Sequence, residues 1–391
     1  MRWIVHLEGG PKRVNHAAVA VGHKIYSFGG YCTGENSREY TSMDVHVLNT
    51  ATYRWTQHPV SHLPYFEYDD ILPYKRYGHT AVVYVDKIYI WGGRNDRASC
   101  STLFCFDTVW HCWTAPKTTG NIPPARDGHT ACLWKNNMII SGGYEEDSDA
   151  FARSVYLLNL DTMHWTYIHI TGAEPTLRDF HTTVVIKDRM YLFGGRGTTN
   201  EPQLSLGRTQ VLYCNELWYL DLTSFTWNNC RAGGNLPIGR RSHSAFVYND
   251  KMYIFGGYNS VREEHYNHIF EYDPSTNLWK IASNGVGKRP CKRRRQACVL
   301  VGEKVYIFGG TSPHPSESLD NYSIRNTDDK LVDHSDMYVL DFNPSLKTLC
   351  MIAVRKHELD ESTLPQNIRH DMTNMFTPNK ITVNRPNNSA G

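Results

Sequence analysis

The chain has no long apolar run. No stretch of 18 residues is apolar enough to cross a bilayer. The first residues, Met1-Arg-Trp-Ile-Val-His, lack a basic stretch leading into an apolar core, so no secretory signal is expected. Net charge is almost absent as well: 41 Lys and Arg stand against 39 Asp and Glu, for a total of +2. That balance argues against nucleic-acid binding through bulk electrostatics. The ten cysteines show no pairing signature. There is no Cys-x-x-Cys, and Cys100, Cys105 and Cys112 are irregularly spaced, which suits reduced thiols inside a cell better than disulfides or zinc. Also missing are Gly-x-Ser-x-Gly, His-Glu-x-x-His, a phosphate-binding glycine loop and a dinucleotide fingerprint. No catalytic residue, metal or cofactor is expected.

What is present is a sixfold repeat. A His or Gln is followed thirteen residues later by Gly-Gly, at His16/Gly29, His79/Gly92, His129/Gly142, His181/Gly194, His243/Gly256 and Gln296/Gly309. Three residues before each stands an Arg: Arg13, Arg76, Arg126, Arg178, Arg240 and Arg293. A period of roughly 50 residues means stacked units around one core, so the length does not imply several domains. Between the His and the Gly-Gly lies a hairpin pattern, as in His79–Gly93 with its turn at Asp86-Lys87. A third strand then ends in Asn or Asp, and Trp follows six residues on: Asn49/Trp55, Asp107/Trp113, Asn159/Trp165, Asp221/Trp227, Asp273/Trp279. Each unit is therefore four strands, one propeller blade. In the sixth unit Lys347 stands where Trp is due after Asp341. The missing Trp is Trp3, so the N-terminal segment is expected to supply the outer strand of blade six and close the ring. A residue type that recurs in every blade reads as structural, and each repeated His is expected to satisfy backbone groups within its own blade.

Where the repeats disagree, function is expected. The residue after each Gly-Gly is Tyr31, Arg94, Tyr144, Arg196, Tyr258 or Thr311. The two residues between Arg and His are Val14-Asn15, Tyr77-Gly78, Asp127-Gly128, Asp179-Phe180, Arg241-Ser242 and Arg294-Arg295. Both sets are expected on one face. Arg196, Arg241, Arg294 and Arg295 would favour an anion, a carboxylate held bidentately above all, with Tyr31, Tyr144, Phe180 and Tyr258 as apolar walls. The alternative is a solvated rim of arginines paired with local acids. The run Lys288–Arg295 resembles a nuclear localisation signal, although Arg293 belongs to the repeat.

The paired glycines, the aromatic pattern and the blade length resemble kelch repeats. The resemblance implies an all-β, six-bladed kelch β-propeller over residues 1–344, in which a Cβ at the Gly pair would strike the neighbouring blade. After it the period changes. Asn343-Pro344 reads as a helix start, and Leu346, Cys350 and Val354 recur every four residues. Ser345–Val354 resembles an elongin-binding box, and Leu364, Pro365, Ile368 and Met372 resemble a cullin-2 box, together a helical segment 345–376. A flexible tail is expected over 377–391.

The combination resembles the kelch-domain substrate receptors of cullin-2 RING ubiquitin ligases, in the subgroup that reads C-terminal degrons ending in glycine. It implies as partners elongin B and elongin C, cullin-2, a RING-box protein and glycine-ended substrate proteins, in cytoplasm and nucleus. By position it also implies degron-binding roles. Arg196 matches the family's carboxylate-holding Arg, Tyr144 a pocket aromatic, and Phe151 falls where the family has Trp. Arg208 is the candidate for a second Arg in a longer fourth-blade loop. Arg241-Ser242 departs from the family's Ser-aromatic pair. Asp127 and Asp179 would face the side chain preceding the terminal Gly, which is therefore expected to be basic. The rival expectation is an interaction scaffold, binding actin or chromatin, whose tail caps a blade.

Overall fold

The computed structural model describes residues 1–35, 41–58, 72–198, 211–283, 285–314 and 331–383. Its main sheets are six four-stranded antiparallel units, three of them extended by a short fifth strand. Blade three shows the plan. Thr130–Trp134 and Asn137–Ser141 form the hairpin that follows His129, Val155–Asn159 comes next, and His164–Ile168 carries Trp165 on the outside. Polar two-residue turns and β-branched alternation build this unit wherever they recur. The inner strands of the six sheets neighbour one another in sequence order, and Ala297–Val301 returns beside Ala17–Val21. The arrangement fits a β-propeller. In blade six the outer strand is Arg2–Leu7, antiparallel to Met337–Asp341 with Trp3 opposite Leu340.

Each sheet is hydrogen-bonded as a separate unit. Blades meet through side chains and single backbone bonds. Six hydrophobic clusters lie at the six junctions between neighbouring blades. Around the axis runs a head-to-tail cycle of backbone bonds. Gly78 N–H donates to Asn15, Gly128 to Gly78, Phe180 to Gly128, Ser242 to Phe180, Arg295 to Ser242, and Asn15 to Arg295, at 2.8–3.2 Å. All six residues have positive φ, from 49° to 68°. Four of them are not glycine, so the cycle holds them in a left-handed conformation that a free chain would rarely adopt.

The repeated residues are staples. The second Gly of each pair donates to the carbonyl of the next blade's repeat Arg at 2.8–3.0 Å. A Cβ on Gly92 would stand 2.3 Å from the His129 ring of the next blade. From Arg76 onward each repeat Arg is buried and donates to the first Gly carbonyl of its own blade, as Arg178 does to Gly194 at 2.9 Å. The histidines differ from expectation: they reach into the preceding blade, not their own. His129 meets Thr80 Oγ1 at 2.8 Å, His181 meets Thr130 Oγ1 at 3.2 Å, and His243 meets Thr182 Oγ1 at 2.7 Å. Gln296 likewise donates to Ser244 Oγ at 3.1 Å. His79 does meet a backbone group, the Phe28 carbonyl at 3.1 Å, but that too belongs to the preceding blade. The physical reason is position: the His side chain points across the blade junction, where Thr80, Thr130 and Thr182 offer a hydroxyl and Phe28 a carbonyl.

The tail folds into α1 (Leu346–Lys356) and α2 (Gln366–Phe376). The N-cap of α1 is Ser345, whose Oγ accepts from Thr348 N–H, two residues later than the expected Asn343. Asn343 instead donates its N–H to Asp341. Met351 of α1, and Met372 and Met375 of α2, are buried in the cluster at the blade six–one junction, and Thr348 of α1 is buried as well. The segment after α2 differs from a flexible tail as far as it is described: Thr382–Val383 pairs in parallel with Thr56-Gln57 of blade one. Residues 384–391 lie outside the described residues.

Candidate functional site

Beyond each Gly-Gly the chain pairs back on itself, and this sets the chemistry of one face. The residue after each repeat Arg lies opposite the residue after Gly-Gly, giving Val14/Tyr31, Tyr77/Arg94, Asp127/Tyr144, Asp179/Arg196, Arg241/Tyr258 and Arg294/Thr311. A third short strand adds an outer residue to most of these rows: Ser99, Phe151, Tyr213, His265 and Asp333. The two sets read from sequence are thus adjacent, as expected. Tyr213 and His265 were not legible, because the third strand returns after a loop of different length in each blade.

The charges divide this face. Arg196 forms a bidentate pair with Asp179, one contact being Nε to Oδ1 at 3.1 Å. Asp179 is 1 % exposed, and burial pushes its carboxyl above the ordinary range even though Arg196 pulls the other way. Arg94 pairs with Glu146 at 3.0 Å. These two arginines follow the paired-rim alternative. Arg241 does not: its guanidinium has no hydrogen-bond or ion-pair partner among the described residues. Its pKa is lowered by burial first, then by Arg196 and Arg295. Arg295 donates to Tyr31 Oη at 2.6 Å, and Arg294 lies over the Tyr258 ring at 4.3 Å. An uncompensated cation therefore sits among further cations in a partly desolvated setting, and such a group is stabilised by an incoming carboxylate. Ser242 is in the axial cycle beside it.

On the opposite side, Asp127 is 7 % exposed, and burial together with Asp179 and Glu146 raises its pKa to about 6, against the pull of Arg94 and Arg196. Tyr144 packs edge-on against Phe151 at 5.5 Å and hydrogen-bonds Asp149. Phe151 also lies 6.0 Å from the Arg196 guanidinium. Arg208 lies outside the described residues. In the run 288–295 Arg293 and Arg294 are buried, and Arg293 holds both oxygens of Asp336 at 2.6 and 2.8 Å. Much of that basic run is therefore not an exposed peptide.

One group among the described residues has metal-ligand spacing: His6, Glu8 and Asp336. Its charges are already met. Arg293 occupies both Asp336 oxygens, and Lys288 Nζ lies 3.2 Å from His6 Nδ1, where a metal-bound imidazole needs an acceptor. Burial raises the pKa of six thiols, Cys32, Cys105, Cys132, Cys214, Cys230 and Cys298, which leaves them poor nucleophiles.

The tail offers a second surface. Leu346 is 76 % exposed and Cys350 is exposed, while Val354, two turns farther along the same stripe, is half-buried against the core. Helix α1 therefore packs down through Thr348 and Met351 and leaves its Leu and Cys outward. In α2 the expected set divides. Pro365 is exposed, Leu364 and Ile368 are half-buried against the core, and Met372 is buried.

Comparison with known proteins bears on the whole chain. The family described as KLHDC2/KLHL20/DRC7 Kelch-repeats domain matches residues 15–100 and 78–310. Kelch domain-containing protein 3 of Homo sapiens is 45 % identical over 383 residues, 97 % of this chain and 97 % of that protein. Kelch domain-containing protein 2 of Bos taurus is 24 % identical over 330 residues, 76 % of each. Host cell factor homolog hcf-1 of Caenorhabditis elegans is 29 % identical over 258 residues, 62 % of this chain and 32 % of that protein. The chain belongs to the kelch-repeat family, whose members are typically non-catalytic protein-interaction modules.

Proposed function

Proceeding from that membership, we propose that this protein is the substrate-recognition subunit of a cullin-2–elongin B/C RING ubiquitin ligase, acting in cytoplasm and nucleus. The propeller face holds protein C-termini that end in glycine, and the tail docks the ligase. The observation that carries this reading is the exposure of Leu346 and Cys350. A helix that merely capped a blade would turn its apolar residues inward. Here α1 is anchored by Met351 and still presents a Leu and a Cys one turn apart to solvent. That is the pattern of a helix offered to a partner's groove. Arg241, without a partner among the described residues, supports the carboxylate end of the reading, with Ser242 beside it and Arg196 available only if Asp179 releases it. Ubiquitin transfer belongs to the partner enzymes, and this chain contributes proximity. We also read the strand Arg2–Leu7 as the clasp that closes the ring in blade six.

The test is co-purification from cells. Wild-type protein is expected to bring down elongins B and C and cullin-2. The double change Leu346→Asp/Cys350→Asp should lose all three and still bind a glycine-ended peptide. Elongin C retained by the double variant, or never captured by wild type, overturns the ligase reading.

A further inference from the structure

Among the described residues, the junction between blades six and one is distinguished in three ways. First, the side-chain belt is broken there. His79 faces Ala17 yet still meets the Phe28 carbonyl at 3.1 Å, whereas neither nitrogen of His16, which faces Ala297, has a hydrogen-bond partner among the described residues. Second, α1 and α2 bury their apolar faces in this junction's cluster, the only one of the six that includes helices. Third, the linker contact is different.

In blades three to six the linker entering a blade lies in parallel against that blade's outer strand. Thr119-Gly120 pairs with His164-Trp165 and Gly233-Gly234 with Leu278-Trp279, and single bridges join Thr171 to Thr226 and Val286 to Arg2. A glycine makes this approach possible. A Cβ on Gly120 or Gly234 would stand 2.2 Å from the carbonyl oxygen of the blade's own Trp. The matching linker into blade one is Glu8-Gly9-Gly10, and its outer Trp is Trp55. A Cβ on Gly9 would strike not Trp55 but Asn379, 2.1 Å from its carbonyl oxygen. The segment after α2 has been inserted between linker and strand. Asn379, 8 % exposed, donates its N–H to Glu8 O at 2.7 Å and accepts from Trp55 N–H through Oδ1 at 3.3 Å. Thr382-Val383 continues along Thr56-Gln57. Arg54 of the same outer strand fastens the end of α2, donating to Thr377 O at 2.7 Å and Thr373 O at 3.0 Å.

We propose that residues 377–383, with α1 and α2 behind them, are a structural wedge completing the six–one junction, so that the docking helices and the closure of the propeller are one cooperative unit. The segment before blade one crosses the junction to pair on blade six, and the segment after blade six crosses it the other way to pair on blade one. Separating the helices from the propeller would remove the Asn379 link, the only hydrogen-bonded one between Glu8 and Trp55 among the described residues. A protein seated on the exposed face of α1 therefore holds the junction shut, and by linkage a closed junction presents the helices better. This last clause rests on the docking reading above; the wedge itself does not.

The experiment is hydrogen exchange on the full-length protein carrying Gly9→Ala or Asn379→Ala, with Gly22→Ala as control. Gly22 also has positive φ, +57°, but nothing lies within 4 Å of its would-be Cβ. It reports the conformational cost alone. The expected result is exchange at least tenfold faster, roughly, in Arg2–Leu7 and Arg54–Gln57 for Gly9→Ala and Asn379→Ala, with blades three and four unchanged. Gly22→Ala should leave Arg2–Leu7 as in wild type. Equal effects of Gly9→Ala and Gly22→Ala, or acceleration spread evenly over all blades, overturn the wedge. Should Gly9→Ala fail to fold, Asn379→Ala decides alone, since it keeps the backbone and removes only the Trp55 acceptor. Adding elongins B and C should slow exchange at the same two strands. If the elongins do not bind at all, the ligase reading fails while the exchange pattern still decides the wedge.

Discussion

Trp3→Ala measures what the N-terminal strand contributes to closure. Trp3 is 5 % exposed, packs edge-on against Tyr338 at 6.1 Å and sits in the cluster between blades five and six. Truncating a buried Trp to Ala costs about 3–5 kcal/mol, because transfer and cavity contributions add. Unfolding entropy of about 2.1 cal/mol/K per residue gives about 0.8 kcal/mol/K for 391 residues, so the midpoint should fall by about 4–6 °C. The matched control is Trp110→Ala: Trp110 is 79 % exposed, and its loss should move the midpoint by less than about 1 °C. Differential scanning calorimetry of the two variants beside wild type provides the comparison. A Trp3→Ala midpoint within 1 °C or so of the control would refute the argument, because the strand would then be peripheral to the ring. Deleting residues 1–8 should do more, exposing Met337–Asp341 as an open edge and bringing aggregation on heating.

On the propeller face, amidating a Gly-ended peptide should weaken binding by the lower end of roughly 2–5 kcal/mol, about 30-fold, since Arg241 is only partly buried; Arg241→Met should bind acid and amide alike in a calorimetric titration. If Asp127 and Asp179 meet the side chain before the terminal Gly, as the sequence reading expects, peptides ending Arg-Gly should exceed Asp-Gly. That preference should depend on pH. A cationic side chain favours ionised Asp127, which holds its proton below about 6, so affinity should fall as pH drops from 7 to 5. Asp127→Asn should flatten this profile, and a wild-type profile that is already flat would remove Asp127 from the site. In the tail, Met372→Ala should lower the melting midpoint with elongin C still bound, since Met372 lies in the core; loss of cullin-2 without loss of stability would show it acting at a surface instead.

Much of the architecture follows from sequence alone. A fixed distance between His and Gly-Gly, and between Asn or Asp and Trp, reports a backbone geometry that repeats, and a repeated geometry has few solutions. Trp3 standing in for the residue absent after Asp341 located the odd strand before any coordinate did. The two rows of variable residues could be aligned because each is counted from an invariant neighbour. What sequence could not supply is whatever depends on contacts between blades. His79, His129, His181 and His243 reach backwards to a carbonyl or hydroxyl of the preceding blade, a relation that spacing within one unit does not encode. Arg196 and Arg241 look alike as letters. Only the fold places buried Asp179 against the first and leaves the second without a partner among the described residues. Leu346, Cys350 and Val354 share a helical spacing, but which side of α1 meets the propeller is decided by Met351 and the hollow it fills. The wedge at Asn379 was beyond sequence reading for the same reason. It joins residues 8, 55 and 379, which lie far apart in sequence and meet only in the tertiary structure.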